Sequence, residues 1–486
     1  MVFVLAGLSC VNATDANHTQ NANDFGNLEE TINTAGESKF VELNKDYVYN
    51  ESNDAKYAAG VNINIDNLVI EGNGHSIDAS KKAQAFTISA NNVVLKNLNI
   101  LNGVCDSNGG AISWNGNNGT IINATFKDCK SPSNGGAVYF KNAGNVINST
   151  FKNNNATFGG AICFDGESTV TNSIFENNHA VFLGGAVSFY EPGTVKNTTF
   201  SKNIAGDGSG IYSSSNCIVE NSLFTRNYAI GYGAITSDNN LKIKNSTFIK
   251  NSAKYASALF LKNNGQLENC NFTQNSAESC GIILTTGNIL SITRSDFNHN
   301  EANDVNSLFI QSKDVTIKNS TFRNEISGFE SEIHIESNKK TLTDLSFYNS
   351  TKTNITDEDV IIDSSTPEND TLNNNTNTNT NANTPTTPKK TVKKSTYISA
   401  KSKTFKLKTK TKKYTIILKS GKNIVKNKKV TIKIRGKTYT SKTNSKGKAI
   451  FKLKISKKGK FKGILKFNGD KTYKSSKKTV YIKIKK

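Results

Sequence analysis

One Trp, one Met and five Pro in 486 residues are too few for the apolar mixture of a helix-rich globular chain. Apolar spacing at three and four residues is missing too, while Asn, Gly and β-branched residues stand where a helix resists them, so helical bundles and helical solenoids are excluded. The seven cysteines, Cys10, Cys105, Cys129, Cys163, Cys217, Cys270 and Cys280, form no C-x-x-C pair, which argues against a zinc site or thioredoxin-like redox chemistry and for buried free thiols. No metal and no cofactor is expected. His75, in Gly-Asn-Gly-His, reads as a turn residue scattered from the other four histidines. No stretch at either end is long and apolar enough to be a transmembrane segment. Met1 to Ala13 is mostly apolar and closes on Val11-Asn12-Ala13, which suits signal peptidase; with no Lys or Arg ahead of its apolar core, it reads as a signal peptide whose true start lies upstream. An extracellular or cell-surface location is the expectation.

Acidic residues are nearly missing from one part of the chain. From Lys389 onward 36 Lys and Arg face a single acid, Asp470, leaving 25 basic and 38 acidic residues before it, so a net +22 divides into +35 and −13. Residues 364–395, rich in Asn, Thr and Pro, have almost nothing to bury and read as an extended linker. Strict alternation follows in Val430-Thr-Ile-Lys-Ile434, Phe451-Lys-Leu-Lys-Ile455 and Val480-Tyr-Ile-Lys-Ile484, with the polar turn Thr443-Asn-Ser-Lys-Gly447. Six or seven such strands suit a small antiparallel β-sandwich, immunoglobulin-like but without the Cys pair of antibody domains. Its basic residues are nearly all Lys, and only Arg435 offers a bidentate fork, so a solvated face or general polyanion binding is favoured over specific nucleic-acid binding.

The rest of the chain is periodic. Phe126, Phe151, Phe175, Phe200, Phe224, Phe248, Phe272, Phe297, Phe322 and Phe347 recur every 24 or 25 residues. Three before each Phe stands Asn, at Asn123, Asn148, Asn172, Asn197, Asn221, Asn245, Asn269 and Asn319, with Arg294 and Asp344 as departures. Three after it comes a second Asn column, Asn154 to Asn300, followed two residues later by Ala. Gly-Gly-Ala at 109–111, 135–137, 159–161 and 184–186 completes the repeat. Strand alternation puts Ile112 and Trp114, Val138 and Phe140, Ile162 and Phe164, and Val187 and Phe189 each on one face, which makes Trp114 a core residue rather than a sugar platform. Val146, Val170, Val195, Val219 and Ile243 lie five before Phe, an odd separation that a straight strand could not bury together with it. The chain must turn between them, so the first Asn column marks a corner where left-handed backbone is tolerated and stacked amides form a ladder directed inward. Such an inward ladder makes Asn221→Ala cost about 1 to 3 kcal/mol, and sets aside the sequons at Asn148 and Asn197 in favour of Asn17, Asn50, Asn354, Asn369 and Asn374.

The fold expected is therefore all-β: a right-handed parallel β-helix, a pectate-lyase-like solenoid of ten to twelve coils, followed by the immunoglobulin-like sandwich. The divisions are residues 1–13 signal peptide, 14–37 an N-terminal segment with a short cap near Leu28 to Ile32, 38–360 β-helix, 361–395 linker and 396–486 Lys-rich sandwich.

The Gly-Gly-Ala-(Ile/Val) and Phe-x-x-Asn tetrapeptides, seven copies of the latter running from Phe151 to Asn300, resemble the repeats of the chlamydial polymorphic outer-membrane proteins, which are β-helical adhesins. The membrane β-barrel of those proteins has no counterpart in this sequence. The whole chain is more similar to the adhesin-like surface proteins of methanogenic archaea, which join such β-helices to immunoglobulin-like modules. This resemblance implies a non-enzymatic scaffold: the β-helix would present a surface to host or neighbouring-cell glycans or proteins, and the basic domain would associate with an anionic polymer of the cell envelope. Parallel β-helices also carry lyases and glycosidases, so a polysaccharide-active enzyme is the alternative. Its carboxylates would be Asp165 and Glu191, which follow the Gly-rich turns on adjacent coils, with Asp238 two coils further along; no Arg or Lys cluster beside them completes a lyase site, and exposed turn carboxylates are the preferred reading.

Overall fold

A computed structural model describes residues 23–302, 307–323, 326–327, 333–348, 396–400, 403–420, 423–473 and 475–485. The expected signal peptide, the 361–395 linker, and the sequons at Asn17, Asn354, Asn369 and Asn374 lie outside these residues. The chain divides into two compact units, one on either side of residue 370, each with its own apolar core.

In the first unit one repeat is one turn of a parallel β-helix. Its strands form two sheets of thirteen, one of twelve and one of eight, in each of which every strand pairs in parallel with its counterpart one coil on. Twelve complete turns reach the upper end of the expected range. Register is strict where the repeat predicts it: Phe126 lies opposite Phe151, and Phe151 opposite Phe175, in the second sheet. From Phe126 to Phe347 the rings stack with centroids 4.7 to 5.1 Å apart and planes within 13° of parallel. That spacing is the strand separation itself, so ring stacking and backbone pairing reinforce each other. In the third sheet Trp114, Phe140, Phe164 and Phe189 form a second buried stack.

The corners separate what the two Asn columns do. Asn123, Asn148, Asn172, Asn197, Asn221, Asn245, Asn269 and Asn319 all adopt left-handed backbone, with φ between 50° and 54°. Each turns the chain from the first sheet, which carries Val146 and its equivalents, into the Phe sheet. Their side chains point outward, which corrects the inward ladder expected of them; the amides bond only across the solvent-facing edge, as Asn197 to Asn172 at 3.0 Å and Asn269 to Asn245 at 2.8 Å. At a left-handed corner the residue that follows, not the corner residue, turns its side chain into the core. Here it is small and hydroxylic: Ser149, Ser173, Thr198, Ser222 and Ser246 are buried, and each donates to the carbonyl two residues earlier while accepting from the backbone amide one coil before. The sequons Asn148-Ser-Thr150 and Asn197-Thr-Thr199 are thus a corner Asn, an inward hydroxyl and a strand Thr, and their acceptor amides lie on the accessible edge.

The inward amide ladder belongs to the second column. Asn178, Asn203, Asn227, Asn251 and Asn275 are completely buried. Asn203 is representative: its Nδ2 donates to Asn227 Oδ1 and to the Phe175 carbonyl, both at 3.0 Å, and its Oδ1 accepts from the backbone N and the Nδ2 of Asn178. Two donated and two accepted bonds exhaust a primary amide, which suits Asn to every coil of this column from Asn154 to Asn300; on the coil before, Cys129 takes the position and its backbone N donates to Asn154 Oδ1. The residue just before each ladder Asn is a second left-handed corner. A third corner is the first Gly of Gly-Gly-Ala: Gly159 has φ 61°, and a Cβ there would meet the Ile162 carbonyl oxygen at 2.3 Å. At the N-terminal end the helix Phe25–Asn33, capped by Asp24, lays Phe25, Leu28 and Ile32 into the same core.

The second unit is an immunoglobulin-like fold of two sheets. In one, Tyr397–Ser399 and Lys448–Leu453 pair antiparallel with Lys412–Ser420. In the other, Lys403–Lys406 pairs parallel with Ser476–Lys485, which continues antiparallel through Gly459–Phe467 and Lys429–Ile434 to Lys437–Lys442. Among the described residues strands number nine rather than six or seven, because the edge segment is divided between both sheets and Asn423–Ile424 adds a two-residue pair. Val430, Ile432 and Ile434 are buried while Lys429 and Lys433 face solvent, as the alternation predicts.

Candidate functional site

Two neighbouring strips on the outside of the β-helix gather functional side chains. The first follows the third sheet. Asp165 and Asp238 occupy one column, the position just after each third-sheet strand, but stand three coils apart. At about 4.8 Å per coil their backbones are about 14 Å apart, beyond the roughly 5 to 9.5 Å of a glycosidase carboxylate pair. Each accepts a hydrogen bond from a tyrosine one coil before it: Tyr139 Oη donates to Asp165 Oδ2 at 2.5 Å, and Tyr212 Oη to Asp238 Oδ2 at 2.7 Å. Lys262, in the same column, adds an ion pair to Asp238 at 2.7 Å. Burial first, and then the adjacent carboxylates, push both phenols well above their usual range, and Tyr190 between them is pushed up to about 12 by burial. These tyrosines are therefore fixed donors near neutral pH, which suits hydroxyl recognition better than proton transfer. Glu191 falls one position further on, in register with Gly166, on the exposed turn of the next coil. Asp165 and Asp238 are thus not brought together.

The second strip runs along the fourth, eight-stranded sheet. Ala156, Ala180, Ala205 and Ala229 face the core, and the residues beside them face out. Val181, Phe182, Ile204, Tyr228 and Ile230 are 39 to 57% exposed, on three successive coils. They are five of the eight strongly exposed large apolar side chains among the described residues of the β-helix, so the clustering marks a surface rather than scatter. Along one edge the second corner column reads Asn153, Asn177, Lys202, Arg226, Lys250 and Gln274, all with positive φ. Nothing in the repeat, read as a sequence, pointed to this strip, since it emerges only when positions 24 residues apart are laid side by side.

In the C-terminal domain a depression of about 270 Å³ is lined by Ser399, Ala400, Lys403, Tyr414, Thr415 and Lys448. A depression of about 110 Å³ lined by Lys242, Lys244, Gln266, Glu268, Ser291 and Thr293 on the first sheet is small for an organic ligand. Among the described residues no cluster of His, Cys, Asp or Glu suits a metal ion, and no helix is long and apolar enough to cross a membrane. Cys129, Cys163, Cys217 and Cys270 are buried free thiols; Cys129, Cys217 and Cys270 are each pushed up to about 12 by burial.

A family model described as a right-handed β-helix region matches residues 109–258. This is a β-helix protein. No curated protein matches the sequence. Among solved structures the chain is similar to a mannuronic acid specific polysaccharide family 6 lyase from human gut microbiota, at 11% identity over 71% of this chain and 91% of that one, with a TM-score of 0.43. It is similar also to a tailspike protein of E. coli bacteriophage HK620 in complex with a pentasaccharide, at 10% identity over 96% and 90%, with a TM-score of 0.37. At such scores neither protein's chemistry transfers to this β-helix.

Proposed function

We propose that this β-helix protein is an adhesin-like scaffold of the cell surface, as the resemblance to the methanogen surface proteins implies, and that the fourth-sheet strip is the surface it presents to glycans or proteins outside the cell. One observation carries the reading: an exposed apolar strip on three successive coils of a solenoid that otherwise presents mainly polar residues outward. A rigid stack is suited to the task, since each coil is held on both sides and the strip needs no ordering on binding. The immunoglobulin-like domain associates with an anionic envelope polymer. Its one acid, Asp470, is occupied by Lys428 at 2.7 Å and by the backbone amides of Thr472 and Tyr473, so little offsets the lysine field.

Glycan-array and cell-binding screens of the parent protein against Tyr228→Ser test the scaffold reading, with loss of the principal signals expected in the variant. The enzyme alternative is met by assays for reducing ends and unsaturated products on neutral and acidic polysaccharides. Cleavage by the parent protein that Asp165→Asn or Glu191→Gln abolishes would replace the scaffold reading with a catalytic one.

A further inference from the structure

From the three cationic corners that edge the apolar strip, we infer that the fourth-sheet surface binds an acidic polysaccharide, one bearing carboxylates along an extended chain that runs parallel to the solenoid axis. The inference rests on the scaffold reading and names its ligand class.

The corner column before the Asn ladder is left-handed at every coil, a conformation that Asn accepts readily and long side chains resist. Asn153 and Asn177 follow that preference; the next three coils do not, placing Lys202, Arg226 and Lys250 at φ 57°, 56° and 56°. Departure from the favoured residue on three coils in a row, always to a cation, points to a use for the charge rather than for the corner. All three side chains are exposed. Lys202 is 3.0 Å from Glu176, but Glu176 is also held by Lys152 at 3.2 Å, and no carboxylate pairs with Arg226 or Lys250 among the described residues, so the edge remains positive.

The three cations sit two residues before Ile204, Tyr228 and Ser252, which lie opposite one another in adjacent strands. Each coil therefore offers one positive charge beside one outward strand residue, repeated at about 4.8 Å. That repeat is close to the length one pyranose residue adds to an extended chain. Ile204, Tyr228 and Ile230 supply an apolar floor for the C–H faces of sugar rings, and Lys254, 5.2 Å from the Tyr255 ring, closes the strip with a further cation. Single-stranded nucleic acid fits less well, because its binding surfaces stack successive bases on successive aromatic rings; the successive rings Phe158 and Phe182 lie on the coils before the three cations, where Tyr228 stands between Ile204 and Ser252.

The test uses the full chain, in which the basic C-terminal domain is identical throughout and cancels from the comparison. The triple variant Lys202→Asn, Arg226→Asn, Lys250→Gln installs residue types that the same column already carries at Asn177 and Gln274, so its fold is preserved. Calorimetric titration with a hexamer of galacturonic acid, its methyl ester and single-stranded DNA should reveal a site for the acidic hexamer that weakens at least about tenfold in the triple variant, since several weak charge contacts act together. The melting temperature of the variant should not fall. Equal affinity of parent and variant for the acidic hexamer overturns the inference, as does a site for the DNA or the neutral ester that survives the triple substitution. If Tyr228→Ser still abolishes binding of another glycan or protein in those cases, the scaffold reading stands without this ligand; if it abolishes none, both fail.

Discussion

The ladder assignment makes a sharp demand on two asparagines six residues apart in sequence. Asn227 is fully buried, its Oδ1 accepting from the Asn203 backbone N at 2.9 Å and the Asn203 Nδ2 at 3.0 Å, while its own Nδ2 donates to the Phe200 carbonyl and to Asn251 Oδ1. Asn227→Ala leaves two donors of Asn203 without partners in a core that water does not reach. At about 1 to 3 kcal/mol for each orphaned group, the loss should be about 2 to 6 kcal/mol. Asn221 instead holds the left-handed outer corner at φ 50° and receives a single side-chain bond, from Asn245 at 3.1 Å. Asn221→Gly keeps that backbone conformation and should lie within about 0.5 kcal/mol of the parent. Guanidinium unfolding monitored by Trp114, the sole Trp and buried in the third-sheet stack, reads both, with far-ultraviolet circular dichroism reporting the whole stack. Coils that unfold in separate steps would appear as non-coincident curves, and rates of unfolding then replace midpoints. Equal losses in the two variants, or a larger one for Asn221→Gly, would refute the assignment of the inward ladder to the second column.

Phe224→Ala removes a ring stacked on both sides, on Phe200 at 4.7 Å and Phe248 at 4.8 Å, and should cost about 3 to 5 kcal/mol in the same assay. Burial alone would raise the Glu71 carboxyl, but the Asn73 amide, Lys96 and Asn97 outweigh it and hold it below its ordinary value. A depressed folded-state pKa gives stability that is present above the unfolded value and lost as pH falls through the folded one. Parent protein should therefore lose stability more steeply on acidification than Glu71→Gln, and parallel pH profiles would remove Glu71 as the cause. The basic C-terminal domain, mixed with isolated envelope, should pellet at low salt and stay in solution at 1 M, where the Debye length is about 3 Å; equal recovery in the supernatant at both would leave its lysines a role in solubility alone.

Most of the solenoid was legible as periodicity. The Phe interval of 24 or 25 residues, the shared faces of Ile112 and Trp114, and the odd separation of Val146 from Phe151 together require short strands, corners and stacked coils, because alternation within a strand admits one inward set. The alternating strands of the C-terminal domain were legible for the same reason. Parity fails at a corner, where φ decides which side chain enters the core. Position alone could not tell that Asn221 faces solvent while Ser222 and Asn227 face inward. The period of 24 or 25 residues already set Asp238 three coils from Asp165, but it did not show that Lys202, Arg226 and Lys250, side by side on consecutive corners, edge an exposed apolar strip. Those neighbours are made by the register between coils, and the register is the product of the whole stack closing at once around its Phe and Asn columns.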